Sequence, residues 1–210
     1  MTWSDLTVEQ YQGLYPIIMD NSEDFNKEVR AICYLSGMNE DELNNLSLEE
    51  YGKIAKNYEF LDNGELKNVA QKTIVANGNK YDVQYDMKKL PVARYVEFKH
   101  FVRDKGKHFV PELHFIMASI TKPHKQKYVS TDHSKYAEDF KKAKFEDVHA
   151  TALFFCALLS KMMRATSGYL VKEIVKTGKM DSAQAQQFVR NLMNALDGFT
   201  TSSGLQISKA

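Results

Sequence analysis

Cysteine is nearly missing from this 210-residue sequence: Cys33 and Cys156 are the two, far apart and each inside an apolar helical pattern. Such usage excludes a secreted disulfide framework and fits two reduced, packed thiols, so a cytoplasmic setting is expected. The ten glycines form neither a GxGxxG nor a GxxxxGK[ST], which removes the usual phosphate cradles. No GxSxG is present, and the histidines at 100, 108, 114, 124, 133 and 149 form no HExxH and no i,i+4 pair. His124 and His133 flank one loop, yet two ligands fall short of a metal site. Thr131-Asp132-His133-Ser134 strings together triad residue types, but adjacent residues cannot adopt triad geometry. Neither a catalytic residue, a metal ligand nor a cofactor site is expected. The N-terminal MTWSDLTVEQ has no basic n-region and no apolar h-region, so a secretory signal is not expected. No internal repeat is found.

Apolar residues make up 43% of the chain and charged ones 26%, an ordinary globular balance. The net charge of +1 hides an asymmetry: residues 1–66 hold 14 acidic against 4 basic side chains, and residues 67–210 hold 13 against 24. An acidic front and a basic back suit two units that attract each other or meet different partners, or two oppositely biased solvated surfaces. From Val148 to Met163, VHATALFFCALLSKMM, apolar residues cover nearly the whole circumference of a helix. Other elements must enclose such a segment. Its unbroken stretch falls short of the roughly 20 residues of a membrane span, so a central helix of a helical domain is the reading.

Local signals supply the remaining elements. Thr7 with Gln10 forms a capping-box pattern that opens a helix to about Met19, with Pro16 a kink or stop. Trp3 either staples the start of that helix together with Leu6 or stands out as an anchor for a partner. Ser22 opens a second helix with the stripe Phe25, Val29, Ile32, Cys33 and Leu35, closed by Gly37. A short turn of helix follows from Asn39 to Leu43, and Ser47 with Glu50 caps a helix bearing Leu48, Tyr51, Ile54, Ala55 and Tyr58. Thr73–Ala76 and Lys80–Tyr85 flank Asn77-Gly78-Asn79 and predict a β-hairpin that must pack on helices or pair with another chain's strand. Pro91 starts a helix ended by Gly106, with Val92, Tyr95, Phe98, Phe101 and Val102 on one side; Pro111 starts another. Residues 121–133 read as a basic surface loop, and Ser134–Lys142 as a short amphipathic helix. The central helix continues or breaks near Ser167-Gly168, and Asp181 with Gln184 caps a last helix ended by Gly198.

The fold expected is mainly α: a multi-helix protein with one small β-hairpin inserted between an acidic N-terminal helical unit and a larger C-terminal helical unit. The divisions are 1–66, 67–198 around the central helix, and a flexible tail at 199–210. Surface offered to a partner is expected at Trp3, at Tyr81 and Tyr85 of the hairpin, and at Phe154, Phe155, Met162 and Met163 of the central helix. Lys122, Lys125 and Lys127 with Tyr128, and Lys141, Lys142 and Lys144, admit a nucleic-acid contact, against which the near-balanced charge and the lack of a recognised module weigh.

Several stretches resemble one family. Trp3–Tyr11 (WSDLTVEQY), Ile32–Gly37, Leu46–Tyr51 and Phe60-Leu61 are similar to the small helical N-terminal unit of the tail assembly chaperones of long-tailed bacteriophages. Gly78-Asn79-Lys80-Tyr81, Lys89-Leu90 and Ala93-Arg94-Tyr95-Val96 resemble versions in which a hairpin leads to a helix, and Ala137–Phe140 with Phe154-Phe155 complete the match to about Lys172. The resemblance implies a non-enzymatic protein in the cytoplasm of the infected bacterium, or in the virion, that holds the tape-measure protein and recruits tail-tube subunits. A tail or neck component of the virion is the alternative, self-association is compatible with either, and no residue-level binding motif transfers.

Overall fold

The computed structural model describes residues 1–63, 65–103, 109–178 and 180–201. It is mainly helical with a small antiparallel sheet. After a single 3-10 turn at Trp3–Asp5 come α1 (Val8–Ile18), α2 (Asp24–Ser36), α3 (Glu40–Asn44), α4 (Leu48–Ala55) and α5 (Phe60–Asn63). Caps set their starts. Thr7 Oγ1 accepts from the Gln10 N–H at 3.2 Å while Gln10 returns a bond to Thr7, and Asn39 with Glu42 and Ser47 with Glu50 repeat the device. Pro16 lies inside α1 without ending it, and Glu23, not Ser22, occupies the cap position of α2. Gly37 closes α2 at φ 76°, where a residue without Cβ is least strained.

The hairpin forms as Asn77-Gly78 predicts, with φ of 49° and 76° at the two turn positions. Strand β1 (Thr73–Ala76) pairs with β2 (Asn79–Val83), Ile74 opposite Tyr81. The sheet has a third member that the sequence reading placed in a loop: β3 (Thr121–Pro123) pairs with β2, Val83 opposite Thr121. Neighbouring backbone, rather than another chain, thereby covers the outer edge of β2. The rest of the expected loop is also partly ordered, because Ser130–Asp132 make a 3-10 turn and His133 already belongs to a helix.

The remaining helices are α6 (Val92–Arg103), α7 (Leu113–Ile120), α8 (His133–Lys141), α9 (Phe145–Lys176) and α10 (Ser182–Thr201). Gly106, expected to end α6, lies outside the described residues. Helix α9 runs straight through Ser167-Gly168, and α10 passes Gly198 to Thr201. Of the expected tail, 202–210 lie outside the described residues. By length and composition α9 is the one helix among the described residues able to cross a membrane, but 61% of its most apolar window is packed inside the fold.

One apolar cluster surrounds the first half of α9. Phe155 meets Phe98 of α6 edge-on at 5.1 Å, and Leu113, Ile116 and Met117 of α7, Phe140 of α8 and Ile74 and Tyr81 of the sheet join the same core. Trp3, Leu6, Val8 and Leu14 belong to it as well, so residue 66 marks no break in the core. Backbone bonds fasten that front end, Phe145 N–H to Leu6 O at 2.8 Å and Val8 N–H to Ala143 O at 3.0 Å. The segment after α5 is pinned to α9 by polar side chains. Glu146 accepts from the Lys67 N–H at 2.8 Å and from the Ser4 hydroxyl, and Thr151 Oγ1 accepts from the Gln71 N–H at 2.9 Å.

Candidate docking groove

The side chains expected to face a partner are mostly spent inside the molecule. Trp3 is buried between Tyr11 and Phe60, with ring centroids 5.9 and 5.1 Å away, so it staples the start of α1 and is no free anchor. Tyr81, Phe155 and Met163 are buried too, which corrects their assignment to a contact surface. Tyr85 is half-buried and donates its hydroxyl to Gln71 O at 2.6 Å; Met162 is half-buried against the core. Only Phe154 keeps a large exposed area, 49%, edge-on to Tyr85 at 5.3 Å. A residue type that favours interfaces also favours cores, and the fold used most of these aromatics for the core.

The buried carboxylate and histidines have partners within the fold. Asp139 on α8 accepts from Asn77 at 2.9 Å, Asn79 at 2.8 Å and the Tyr81 hydroxyl at 2.5 Å, which ties the hairpin tip to the helix. Burial alone would raise its carboxyl, but those donors outweigh it and hold it below the ordinary value. His149 is enclosed by Phe109 and Phe145, and burial drives its pKa down to about 4; His114, bonded to Gln12 at 2.9 Å, falls to about 4 for the same reason. His133 Nε2 lies 3.1 Å from Ser119 Oγ and 3.8 Å from Glu97. One ring nitrogen serves both neighbours, and Ser119 is fully buried, so the trio has no triad geometry. His124 is engaged separately by Asp82 at 2.8 Å. Among the described residues no group of three His, Cys, Asp or Glu is placed to hold a metal ion.

Apolar side chains in the acidic front line an open groove. A groove of about 820 Å³ opens between the end of α1, α2, α4 and α5. Its floor is Ala31 and Ile32 of α2, both buried, with Ala55 and Leu61, and its lip is Phe25, 63% exposed, with Ile18, 38% exposed. The sequence stripe that placed Phe25 with the packed residues is corrected here: α2 buries Ala31 and Ile32 and turns Phe25 outward. Asp24, Glu28, Glu59 and Asp62 line the rim against Lys27 and Lys56. Tyr51 props the lip from α4, its ring 6.4 Å from Phe25 and its hydroxyl donating to Glu28 at 3.0 Å. Partial burial and that carboxylate raise the Tyr51 hydroxyl to about 12.

Gly52 faces open space in the groove. It sits within α4 and lines the cavity, and a Cβ added there would meet nothing within 4 Å. Chemically the arrangement suits an apolar helical face flanked by cations, the geometry of a helix laid in a groove. Sequence reasoning missed it because its pieces are ordinary amphipathic residues on separate short helices; the excess of carboxylates in residues 1–66 was the one available signal. Compared with protein-family models, with characterised proteins and with solved structures, the chain gives no match.

Proposed function

We propose that this chain is a non-enzymatic assembly factor of a bacteriophage tail, acting in the cytoplasm of the infected bacterium. It shields an apolar helical segment of a partner and releases it on assembly. The observation that carries the reading is the groove: an apolar floor, an exposed Phe25 lip and a carboxylate rim. Burying apolar area gives about 25 cal/mol per Å², so closing a helix over Phe25 and Ile18 supplies reversible affinity. The rim selects segments carrying Lys or Arg beside the apolar stripe. The tape-measure protein is the client the resemblance implies, with a tail-tube subunit second.

The test is co-expression of the full chain with a tape-measure protein of the same genome, followed by affinity capture. Capture is expected, and Gly52→Leu, which fills the groove and improves helix propensity, is expected to abolish it without lowering the melting temperature. Undiminished capture by Gly52→Leu overturns the groove as the site. Stoichiometric presence of the chain in purified particles turns the assignment into a tail or neck component of the virion.

A further inference from the structure

The turn that follows β3 is built, not slack. Lys122 stands opposite Asp82 in the strand register, the His124 N–H donates to Lys80 O at 2.8 Å, and the Gln126 N–H donates to Pro123 O at 3.1 Å. Lys125 takes φ 58°, a left-handed value uncommon for a residue with a side chain. This turn delivers Lys122, Gln126, Lys127 and Tyr128 to one wall of a second groove, of about 550 Å³. Lys89, Pro91, Ala93 and Arg94, at the start of the 12-residue α6, form the other wall.

Arg94 is the unusual member. It is 2% exposed, its Nε donates to Ser119 O at 2.7 Å, its Nη2 donates to Thr121 O, and the guanidinium carbon lies 4.3 Å from the Tyr128 ring centre. A guanidinium carries five N–H donors, and among the described residues Nη1 has no acceptor. No Arg94 nitrogen is both sealed from solvent and without a partner, so the spare donors open onto the groove. The first N–H groups of α6 add to them, since a helix start leaves such donors unsatisfied. The nearby carboxylates are engaged elsewhere: Asp82 by His124, Asp86 by Lys89 at 3.3 Å, Glu97 by the Tyr128 hydroxyl at 3.0 Å. None of them lines the groove.

We infer that this groove binds a phosphate-bearing anion, with Arg94 and the start of α6 donating to its oxygens and Lys122 and Lys127 supplying charge. The planar fork of an arginine matches phosphate geometry, and the volume falls in the range of small-ligand sites, large enough for more than one phosphate. The phosphate comes either from a nucleic-acid backbone or from a free phosphoryl compound. The site is independent of the docking groove.

Calorimetry on the full chain at low salt, with inorganic pyrophosphate and with a short DNA duplex, tests the inference. Binding is expected, and the double substitution Lys122→Gln with Lys127→Gln, at surface positions outside the core, is expected to weaken it by about tenfold or more. Arg94→Lys keeps the charge but loses the fork and is expected to weaken binding further; where that variant fails to fold, the double lysine variant still decides. Duplex binding that falls steeply with salt, with weak pyrophosphate binding, identifies the backbone as the source. Pyrophosphate binding without duplex binding identifies a free phosphoryl compound. Absence of binding by both probes at low salt, or equal binding by the double variant, overturns the site. Gly52→Leu is expected to leave this binding unchanged, which separates its outcome from that of the docking proposal.

Discussion

Helix α4 contains no buried residue, whereas between Val148 and Cys156 of α9 only Phe154 reaches the surface. The two regions are stabilised by different means. In the acidic front, reciprocal bonds such as Ser47 with Glu50 and Asn39 with Glu42 satisfy the orphan donors at each helix start, contributions of about 1 kcal/mol each that need no tertiary partner. Around α9 the stabilising term is burial of large apolar side chains, Phe145, Phe155 and Leu159 among them. Helix α4, held by its cap, keeps Leu48 in water at 91% exposure without melting, while α2, which has no side-chain cap, buries Ala31 and Ile32 and leaves Phe25 outside. The contrast is consistent with an open groove in the front and with aromatic residues of α9 that are mostly enclosed.

Mutation breaks or sharpens that contrast. Phe155→Ala removes a fully buried ring from the α9 core and is expected to cost about 3–5 kcal/mol, measured by urea unfolding. A loss below about 1 kcal/mol means that the core is not centred there. Acid acts next. His149 stays neutral in the fold to about pH 4 but protonates near the ordinary histidine value of 6.5 when unfolded. The unfolded chain therefore binds more protons in that window, and stability falls as pH drops from about 6.5 toward 4, by about 3 kcal/mol for a fully buried histidine. His114 adds loss in the same direction. The depressed carboxyl of Asp139 contributes stability that is present above the ordinary aspartate value of 3.8 and is lost as pH falls from there through its lowered value in the fold. A flat stability profile between pH 6.5 and 4, or one that His149→Phe leaves equally steep, contradicts the burial of that ring.

Asp139→Ala leaves the donors of Asn77, Asn79 and Tyr81 without their acceptor, and a cost of about 2 kcal/mol is expected, visible as faster amide exchange in β1 and β2. The smallest effect on stability belongs to the front: Phe25→Ser should shift the melting free energy by no more than about 0.5 kcal/mol while weakening capture of a client. A large destabilisation by Phe25→Ser would show that the lip is part of the packing after all, and the distinction between the two regions would fall with it.

Elements defined by near neighbours in sequence were readable before any coordinates. Thr7 with Gln10, Ser47 with Glu50 and Asp181 with Gln184 each form the reciprocal bonds their spacing predicts, and Asn77-Gly78 makes the turn. The continuous apolar circumference of α9 likewise demanded burial, and 32 residues of unbroken helix deliver it. Strand β3 was not readable: Thr121-Lys122-Pro123 has no alternation of its own and becomes a strand because β2 presents an unpaired edge to it. Gly198 misled for a related reason, whereas at Gly168 both outcomes were open and the helix continues. A glycine inside a helix costs about 1 kcal/mol, a local penalty that packing of α9 against α10 overrides.

The candidate site was less legible than the fold. Phe154 and Phe155 are neighbouring rings in the same apolar segment, and nothing within that helix says which of the two is covered. The carboxylate of Asp139 and the guanidinium of Arg94 gain their roles from partners up to 62 positions away in the chain, which no local pattern encodes.

By itself the sequence determined where helices start, where the hairpin turns and which segment must be enclosed, because caps, turn conformations and apolar periodicity act over a few residues. Only the tertiary structure decided which apolar faces stay in water, which edge β3 completes and which charged groups meet across a groove. Those outcomes depend on the competition among distant surfaces for burial, and that competition is settled when the elements pack.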